Sequence, residues 1–479
     1  MIYLNYKFSY FNLSVWSIIL LLTLTLLNSY PGEGIEFALI FFSFAIVSAF
    51  LILPKNKDLF DPFYLFSLCY VTFIASAYIL RVNGLNNNHF ISTTNFYNNI
   101  DTVYMYGLIA LIVSYISALT GYWFFSTNSR VYKPFHSSAF DSKTIFYIAV
   151  FLYIIGFVNF MINIFIISSG DIVLYYKTIS MRYYDFQGPV TTLGYHGMYI
   201  ACYIFFISAM QNRKLNTMIS IIIISSFLIM ISNGRIAQSI FYLTTFLIIY
   251  YYYNGSYKLN VRYSFLGMLL VLVGISVYGL RIASSLSLNT VDGGFELSTY
   301  ISEFLSFDYL SHILFDKGYT PNFALLMKVI DSWSYDIGYM YGSTILHPIF
   351  NFVSPNVFGL VEMPAVLAKQ QWYMHTQDGN LPVTGIGEMY VNFSYIGFIF
   401  GMFLFGALGA LIRNLMIKTR SAIFLIFYAK FIIGFYMLYP KGELNNLSVF
   451  WMLFPSISIY IIAIVVNKLK YRGSVFVLE

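Results

Sequence analysis

The sequence predicts an all-α polytopic membrane protein with about twelve transmembrane helices. Of the 479 residues, 59% are hydrophobic and only 10% are charged, whereas an average soluble domain has about 25% charged residues. The mean hydropathy is +0.72. A helix needs about 20 consecutive apolar residues to cross a bilayer, and runs of that length recur along the whole chain. We therefore expect lipid to surround most of the protein.

Twelve apolar runs are candidates for transmembrane helices, and all but one are free of charged residues. The exception, Ser421–Pro440, contains Lys430. The runs are Phe8–Gly32, Phe37–Pro54, Pro62–Leu80, Thr102–Ser129, Thr144–Gly170, Phe186–Asn212, Leu215–Gly234, Ile236–Tyr257, Tyr263–Leu280, Met389–Ile412, Ser421–Pro440 and Leu444–Asn467.

The distribution of basic residues predicts the orientation of these helices. Lys and Arg are retained on the cytoplasmic side of short loops. With the N-terminus inside, sixteen of the 26 Lys and Arg residues are cytoplasmic and nine lie on the other side. We therefore predict that both termini are cytoplasmic. One membrane domain results, in which residues 1–280 form helices one to nine and residues 389–479 form helices ten to twelve with a cytoplasmic tail.

Residues 281–388 are predicted to form one long extracytoplasmic loop. Apolar and acidic residues recur there at helical spacing over Phe295–Phe315 and Thr320–Trp333, which predicts short interfacial helices. Ile337–Val361 is free of charge but rich in Gly, Pro and Asn. Such a segment would leave backbone hydrogen bonds unmet in lipid, so we expect irregular backbone packed against the bundle.

The net charge and the cysteine content limit the kinds of ligand that the protein is expected to bind. The net charge of +6 is typical of basic cytoplasmic loops that face anionic lipid headgroups, and it gives no support for nucleic-acid binding. Both cysteines, Cys69 and Cys202, lie within predicted spans, so we expect neither a disulfide nor a thiolate metal site. No metal-binding motif is present, and no cofactor is predicted.

Three basic residues, Arg235, Arg281 and Lys441, lie at predicted outer ends of different helices. Ionisable residues at the membrane rim often face a cavity or a ligand. Arginine binds phosphate groups with two parallel hydrogen bonds, and lysine acts as a point charge. We therefore predict these three as ligands of a diphosphate. The alternative is that the arginines extend to lipid headgroups and that Lys441 pairs with Glu443.

Glu388 is the acidic residue that best fits a catalytic role, because it precedes a long apolar helix at the same rim. Desolvation there would raise the pKa of its carboxyl toward a value suited to a general base. The alternative is a carboxylate that stabilises a helix start. His347 and His375 in the long loop are further candidates for the base. We expect Glu33 and Glu36 in the first outer loop to be solvated, since no Asp accompanies them at metal-ligand spacing.

Aromatic residues near this rim are candidates for stacking on a sugar. Trp333, Trp372 and Tyr373 lie in the long loop, and Tyr390 follows Glu388 closely. We predict sugar contacts for Trp333, Trp372 and Tyr390. The alternative is packing or lipid contact, which accounts for most of the 44 Tyr and 49 Phe residues.

Several motifs lie in the long loop and in the helix that follows it. They are Gly338–Ser343, His347-Pro348, Ser354-Pro355, Thr384–Phe393 and the glycine-rich Gly397–Gly409, with Asn233–Arg235 further upstream. Together they resemble the bacterial O-antigen and oligosaccharide repeat-unit polymerases, the Wzy-type family, and Asn233–Arg235 is similar to the Gly-Arg turn of that family. The similar region covers roughly residues 300–413. Ser394 departs from the pattern, in which a glycine is expected.

The resemblance implies a fold similar to glycosyltransferases of the C type and an enzyme of the bacterial inner membrane with its active site facing the periplasm. Such an enzyme transfers a growing glycan from undecaprenyl diphosphate to the non-reducing-end hydroxyl of a lipid-linked repeat unit. Expected partners are these two lipid-linked oligosaccharides, membrane lipid, a chain-length-regulating co-polymerase and a flippase. Cations at the outer rim would stabilise the leaving diphosphate.

Two other functions fit the same helix count. An O-antigen ligase shares the long loop but transfers finished polymer to lipid A core. A lipid-linked oligosaccharide flippase or other secondary transporter would be expected to carry charges at mid-membrane. Lys430 is the one clear mid-span charge in the predicted spans, which favours chemistry at one rim.

Overall fold

The structure is a computed structural model, and its regular secondary structure is helical throughout the residues that it describes. It divides into two compact units. Unit 1 comprises Met1–Thr127, Ser311–Leu411 and Tyr436–Asn446, and unit 2 comprises Asn128–Leu310, Ile412–Phe435 and Leu447–Glu479. The described residues are 34–52, 58, 60–82, 100–127, 143–171, 189–212, 217–232, 236–253, 320–346, 364–372, 383–437, 439 and 453–465.

The described helices, numbered in chain order, are α1 (Gly34–Ile52), α2 (Pro62–Val82), α3 (Ile100–Phe125), α4 (Lys143–Ser168), α5 (Pro189–Gln211), α6 (Thr217–Ser232), α7 (Ile236–Tyr253), α8 (Thr320–Asp336), α9 (Pro364–Trp372), α10 (Gly385–Phe393), a π-helical turn (Gly397–Gly401), α11 (Met402–Thr419), α12 (Ala422–Phe431), a second π-helical turn (Ile432–Tyr436) and α13 (Leu453–Val465). Unit 1 contains α1 to α3, α8 to α10 and the first half of α11. The other helices belong to unit 2.

Four of the described helices are long and apolar enough to cross a membrane: Pro62–Val82, Ile100–Phe125, Ile145–Ile166 and Gly397–Thr419. In Ile145–Ile166, only 22% of the apolar stretch is buried. The apolar side chains on the rest of this helix are exposed and require lipid around them. These helices confirm an all-α membrane protein. The number of twelve spans and the orientation stay predictions.

The described helices follow the predicted spans with two exceptions of note. The runs Phe8–Gly32 and Tyr263–Leu280 lie outside the described residues. The run Met389–Ile412, predicted as one span, is broken at Ser394, where α10 ends before a new helix begins. The helix ends there because Ser394 has φ 57° and ψ −151°, which are not angles of a right-handed helix.

In unit 1, α3 and α11 cross with their backbones in direct contact at two glycines. A Cβ atom on Gly406 would overlap the carbonyl oxygen of Ala118, and one on Gly121 would overlap that of Phe403. Small residues allow membrane helices to approach this closely. The crossing holds the N-terminal part of α11 against α3.

Helix α8 is enclosed by other helices of unit 1. It packs against α2, α3 and α10, and all residues from Asn322 to Ile330 are buried. The Phe323 ring contacts the rings of Phe73 and Tyr104, at centroid distances of 6.1 and 5.6 Å. The predicted interfacial position of Thr320–Trp333 is therefore corrected, because an interfacial helix keeps one face in contact with headgroups. The predicted helix Phe295–Phe315 lies outside the described residues.

An ion pair joins three helix ends on the same side of unit 1. Arg81, at the end of α2, contacts Glu36 at the start of α1 at 2.6 Å and Asp101 at the start of α3 at 2.8 Å. The guanidinium also lies 5.8 Å from the Tyr104 ring centroid. Glu36 is only 5% exposed, so the expectation that it lies in a solvated loop is corrected, while Glu33 lies outside the described residues. The charge of Glu36 is tolerated there because Arg81 pairs with it.

In unit 2, α5 packs against α4, α6, α7 and α12. The Tyr203 and Tyr242 rings lie 5.5 Å apart in this packing, and each contacts Phe246. Lys430 on α12 is 5% exposed, with its ammonium 5.9 Å from the Tyr203 ring centroid. The predicted mid-span cation is therefore buried beside a tyrosine ring, an arrangement in which the ring quadrupole offsets part of the desolvation of the charge.

Candidate functional site

Helix α10 carries the predicted residue Glu388 in its first turn and begins and ends at strained residues. Thr384, at its N-cap, has φ 71° and ψ 156°, and Ser394, at its C-cap, has φ 57° and ψ −151°. Only glycine adopts such backbone angles without a cost of about 1–3 kcal/mol. The Thr384 hydroxyl accepts a hydrogen bond from the Gly387 amide at 3.1 Å, which compensates part of this cost. Strain of this kind is concentrated at functional sites.

The turn Gly338–Ser343 is held against α10 by backbone and side-chain hydrogen bonds. The Met340 amide donates to the Val391 carbonyl at 2.9 Å, and the Tyr339 hydroxyl lies 3.0 Å from the Ser394 hydroxyl. The turn itself contains Tyr341 at φ 47° between glycines at φ 93° and 86°. The sequence predicts irregular backbone over Ile337–Val361. Within the described part of this segment, residues 337–342 are irregular and residues 343–346 form a helical turn.

A chain of buried hydrogen bonds connects this turn to Glu388. The Gly342 amide donates to Asn392 Oδ1 at 2.8 Å, and Asn392 Nδ2 donates to Thr344 Oγ1 at 2.6 Å. Thr344 Oγ1 in turn donates to Glu388 Oε1 at 3.1 Å. The second proton of Asn392 Nδ2 is used as well, because this atom also donates to the Glu388 carbonyl oxygen at 2.8 Å. The direction of every bond in the chain is thereby determined.

This arrangement makes the Glu388 carboxyl the last acceptor of the buried hydrogen-bond chain. Thr344, Glu388 and Asn392 are each 0% exposed. A general base must lie within hydrogen-bonding reach of the hydroxyl that it deprotonates, and in this structure the Glu388 carboxyl is shielded from solvent. The geometry of Glu388 therefore fits a residue that orients its neighbours through hydrogen bonds better than it fits a general base. We define Thr344, Glu388, Asn392 and the turn Gly338–Ser343 as the α10 site.

The three predicted sugar-contacting aromatics differ in exposure. Trp333 is 0% exposed, and its indole N–H donates to the Gly338 carbonyl at 2.8 Å. Tyr390 is 2% exposed, and its hydroxyl donates to the Ile330 carbonyl at 3.0 Å. Neither presents an open ring face, so we assign both to packing within the α10 region and correct the predicted stacking role. Trp372 is half-buried, and its contact with a sugar stays a prediction.

The remaining predicted site residues lie outside the described residues. These are the three predicted diphosphate ligands and the two candidate bases, namely Arg235, Arg281, Lys441, His347 and His375. Their roles stay predictions.

Thr344 and Asn392 were not predicted as site residues. One sequence signal was available for Asn392, since it follows Glu388 by four positions and residues i and i+4 share one face of a helix. Thr344 gave no signal, because it is 48 residues from Asn392 in the chain and is brought there by the turn after α8.

Ser394 allows a direct test of the strain at the end of α10. We expect Ser394→Gly to raise the free energy of unfolding relative to Ser394→Ala by about 2 kcal/mol, because only glycine relieves the backbone angles. Both variants lose the hydrogen bond with the Tyr339 hydroxyl, so the alanine variant is the matched control. The measurement is thermal unfolding of the full chain in detergent. Equal stability of the two variants would mean that position 394 is unstrained.

The described residues contain no group of three or more His, Cys, Asp or Glu side chains that would hold a metal ion. Comparison of the sequence with protein-family models gives no match. Searches among curated proteins and among solved structures give no match either.

Proposed function

We propose that this protein is a membrane glycosyltransferase that polymerises O-antigen or a related surface polysaccharide from undecaprenyl-diphosphate-linked repeat units. The observation that carries the proposal is the α10 site, where strained backbone and a fully directed hydrogen-bond chain surround the buried Glu388. The Thr384–Phe393 motif, which resembles the repeat-unit polymerases, forms one side of this site. We further propose the bacterial inner membrane as its location, with the site facing the periplasm.

In the proposed reaction, the non-reducing-end hydroxyl oxygen of one lipid-linked repeat unit attacks the anomeric carbon of the growing glycan. A new glycosidic bond forms, and the bond from that carbon to the diphosphate oxygen breaks. The hydroxyl proton passes to a general base, and undecaprenyl diphosphate leaves with the bonding electron pair. Cations beside the diphosphate lower the barrier by stabilising the charge that develops there.

The candidate site residues have different roles in the proposed reaction. Arg235, Arg281 and Lys441 bind the departing diphosphate, and His347 or His375 takes the hydroxyl proton. Glu388 is a positioning residue that acts through Thr344 and Asn392 on the turn Gly338–Ser343. Hydrogen bonds from Met340 and Gly342 attach this turn to α10, and a turn fixed in this way would keep two bulky lipid-linked substrates in line. Chain length would be set with a co-polymerase, and substrates would be delivered by a flippase.

The test is a lipopolysaccharide gel of a strain that lacks this gene. We expect the ladder of polysaccharide lengths to collapse to core with one repeat unit and to return with the parent gene. Arg235→Ala and Glu388→Ala should fail to restore it at equal protein level, while Asp101→Ala, an exposed residue of the Arg81 ion pair, should restore it. Bare core would instead indicate the ligase or flippase function. An unchanged ladder would contradict a role in polysaccharide synthesis.

A further inference from the structure

The ends of α8 and α9 meet at a pair formed by a carboxylate and an indole ring. Trp372 Nε1 donates to Asp336 Oδ2 at 2.8 Å. Asp336 is exposed and Trp372 is half-buried, so both side chains lie at the surface of unit 1. The indole N–H binds one carboxylate oxygen, and the other carboxylate oxygen keeps its capacity to accept hydrogen bonds.

Two further side chains fix the Trp372 ring. The Trp333 ring contacts it edge to face, with centroids 5.7 Å apart and an interplanar angle of 77°. The Lys328 ammonium lies 5.6 Å from the Trp372 ring centroid. Lys328 and Trp333 are themselves buried. A half-exposed tryptophan with three fixed contacts is a preorganised surface, because a ligand that binds it loses little side-chain entropy.

The charges near the pair do not form an anion-binding site. Lys328 interacts with two carboxylates, Asp331 and Asp336. Burial lowers the pKa of the Lys328 ammonium, and these two carboxylates oppose that shift. Lys369 lies three residues before Trp372 on α9, so the two lysines and the two aspartates balance in formal charge. The pair therefore has no excess of positive charge with which to bind a diphosphate or an anionic lipid headgroup.

The hydrogen-bond donor of the Trp372 ring is already used within the protein. Tryptophans of an interfacial belt direct their N–H toward lipid headgroups and water, whereas the Trp372 N–H is bound to Asp336. A neutral ligand with several hydroxyl groups and an apolar face satisfies both members of the pair. The hydroxyls would donate to the carboxylate, and the apolar face would lie against the indole ring.

We propose that Asp336 and Trp372 form a saccharide-binding subsite that holds one pyranose ring of the lipid-linked repeat unit. The inference rests on the proposed function and deepens it, because it assigns the recognition of the neutral sugar to residues separate from those predicted to bind the diphosphate. Trp333 and Lys328 are positioning residues of the subsite, since they contact the Trp372 ring.

The experiment compares two probes with the full chain in detergent by microscale thermophoresis. One probe is the lipid-linked oligosaccharide extracted from a strain that lacks this gene, and the other is undecaprenyl diphosphate without sugar. The variants are Asp336→Asn, which keeps an acceptor for the Trp372 N–H, and Trp372→Ala. Tyr335→Ala is the matched control, because Tyr335 lies at the same helix end and is 89% exposed.

The parent protein is expected to bind the sugar-bearing lipid about tenfold more tightly than the bare lipid. Asp336→Asn and Trp372→Ala should lose most of this difference while their affinity for the bare lipid stays at the parent value, which also shows that they are folded. Tyr335→Ala should keep the difference. If both subsite variants keep it, the subsite is refuted and the polymerase function stands. If the parent binds both lipids equally, the subsite is refuted, and the lipopolysaccharide gel decides the function separately.

Discussion

Replacing Gly406 by leucine is expected to remove nearly all folded protein from the membrane. The added side chain would overlap the backbone carbonyl of Ala118 on α3, and backbone cannot move aside as a flexible side chain does. Overpacking at a site whose neighbours can move lowers the free energy of unfolding by about 1–3 kcal/mol. At this backbone contact we expect the free energy of unfolding to fall by at least about 3 kcal/mol. Leucine favours insertion into the membrane more than glycine does, so poor insertion would not account for such a loss.

The measurement is the amount and the thermal midpoint of the protein extracted in mild detergent. Leu404→Ala on the same helix is the control, because Leu404 is 64% exposed and its loss leaves no cavity in the packed unit. Gly121→Leu should reproduce the Gly406→Leu result, since a Cβ there overlaps the Phe403 carbonyl. A Gly406→Leu protein with the parent's thermal midpoint would show that α3 and α11 do not cross at these glycines.

Asn392→Asp is expected to destabilise the α10 site by about 3 kcal/mol or more. The change keeps the acceptor for the Gly342 amide but removes both donors of Asn392 Nδ2, which serve Thr344 and the Glu388 carbonyl. It also places a second carboxyl beside Glu388, in a region where the side chains of Thr344, Glu388 and Asn392 are all buried. Two buried carboxylates cannot both ionise at low cost. Thermal unfolding in detergent measures this loss without any assumption about activity.

A double variant separates the charge effect from the loss of hydrogen bonds. Combining Glu388→Gln with Asn392→Asp removes one of the two carboxyls, so the double variant should recover about 1 kcal/mol or more relative to Asn392→Asp alone. Glu388→Gln alone is the control, and it should lower stability because Gln offers a weaker acceptor to the Thr344 hydroxyl. Strictly additive effects of the two changes would mean that the carboxyl introduced at position 392 does not interact with that of Glu388.

The same set of variants tests the positioning role of Glu388. If the network orients the turn Gly338–Ser343 for catalysis, Glu388→Gln should shorten the polysaccharide ladder in the complemented deletion strain at equal protein level. Leu404→Ala provides the comparison for a change that leaves the site intact. Full ladder length in Glu388→Gln would restrict the role of Glu388 to stability.

Glu388 and the turn Gly338–Ser343 are the parts of the α10 site that the sequence indicates, whereas Thr344 and Asn392 were not predicted as site residues. Glu388 stands out because it precedes a long apolar segment, and the structure places it in the first turn of α10. Its partner Asn392 could have been inferred from the spacing of four residues, although that spacing does not say which way the shared face points. Trp333 and Tyr390 are predicted to be available to a sugar, yet both are buried, because α8 packs between other helices of unit 1.

Hydropathy along the chain is enough to establish the class of protein and the position of its apolar helices. It is a sum over neighbouring residues, and each stretch of apolar residues needs a lipid environment whatever the rest of the chain does. For the same reason, the irregular backbone after α8 is predictable from its glycines and polar residues.

The contacts between residues that are far apart in the sequence are determined by the tertiary structure alone. Folding buries Glu36 against Arg81, encloses α8 within unit 1 and brings Thr344 between Glu388 and Asn392. It also places residue 394 at backbone angles that end α10 in the middle of a continuous apolar run. The physical reason is that burial and hydrogen-bond geometry depend on which side chains arrive from other parts of the chain. Local hydropathy does not depend on these contacts between distant residues, so it cannot predict them.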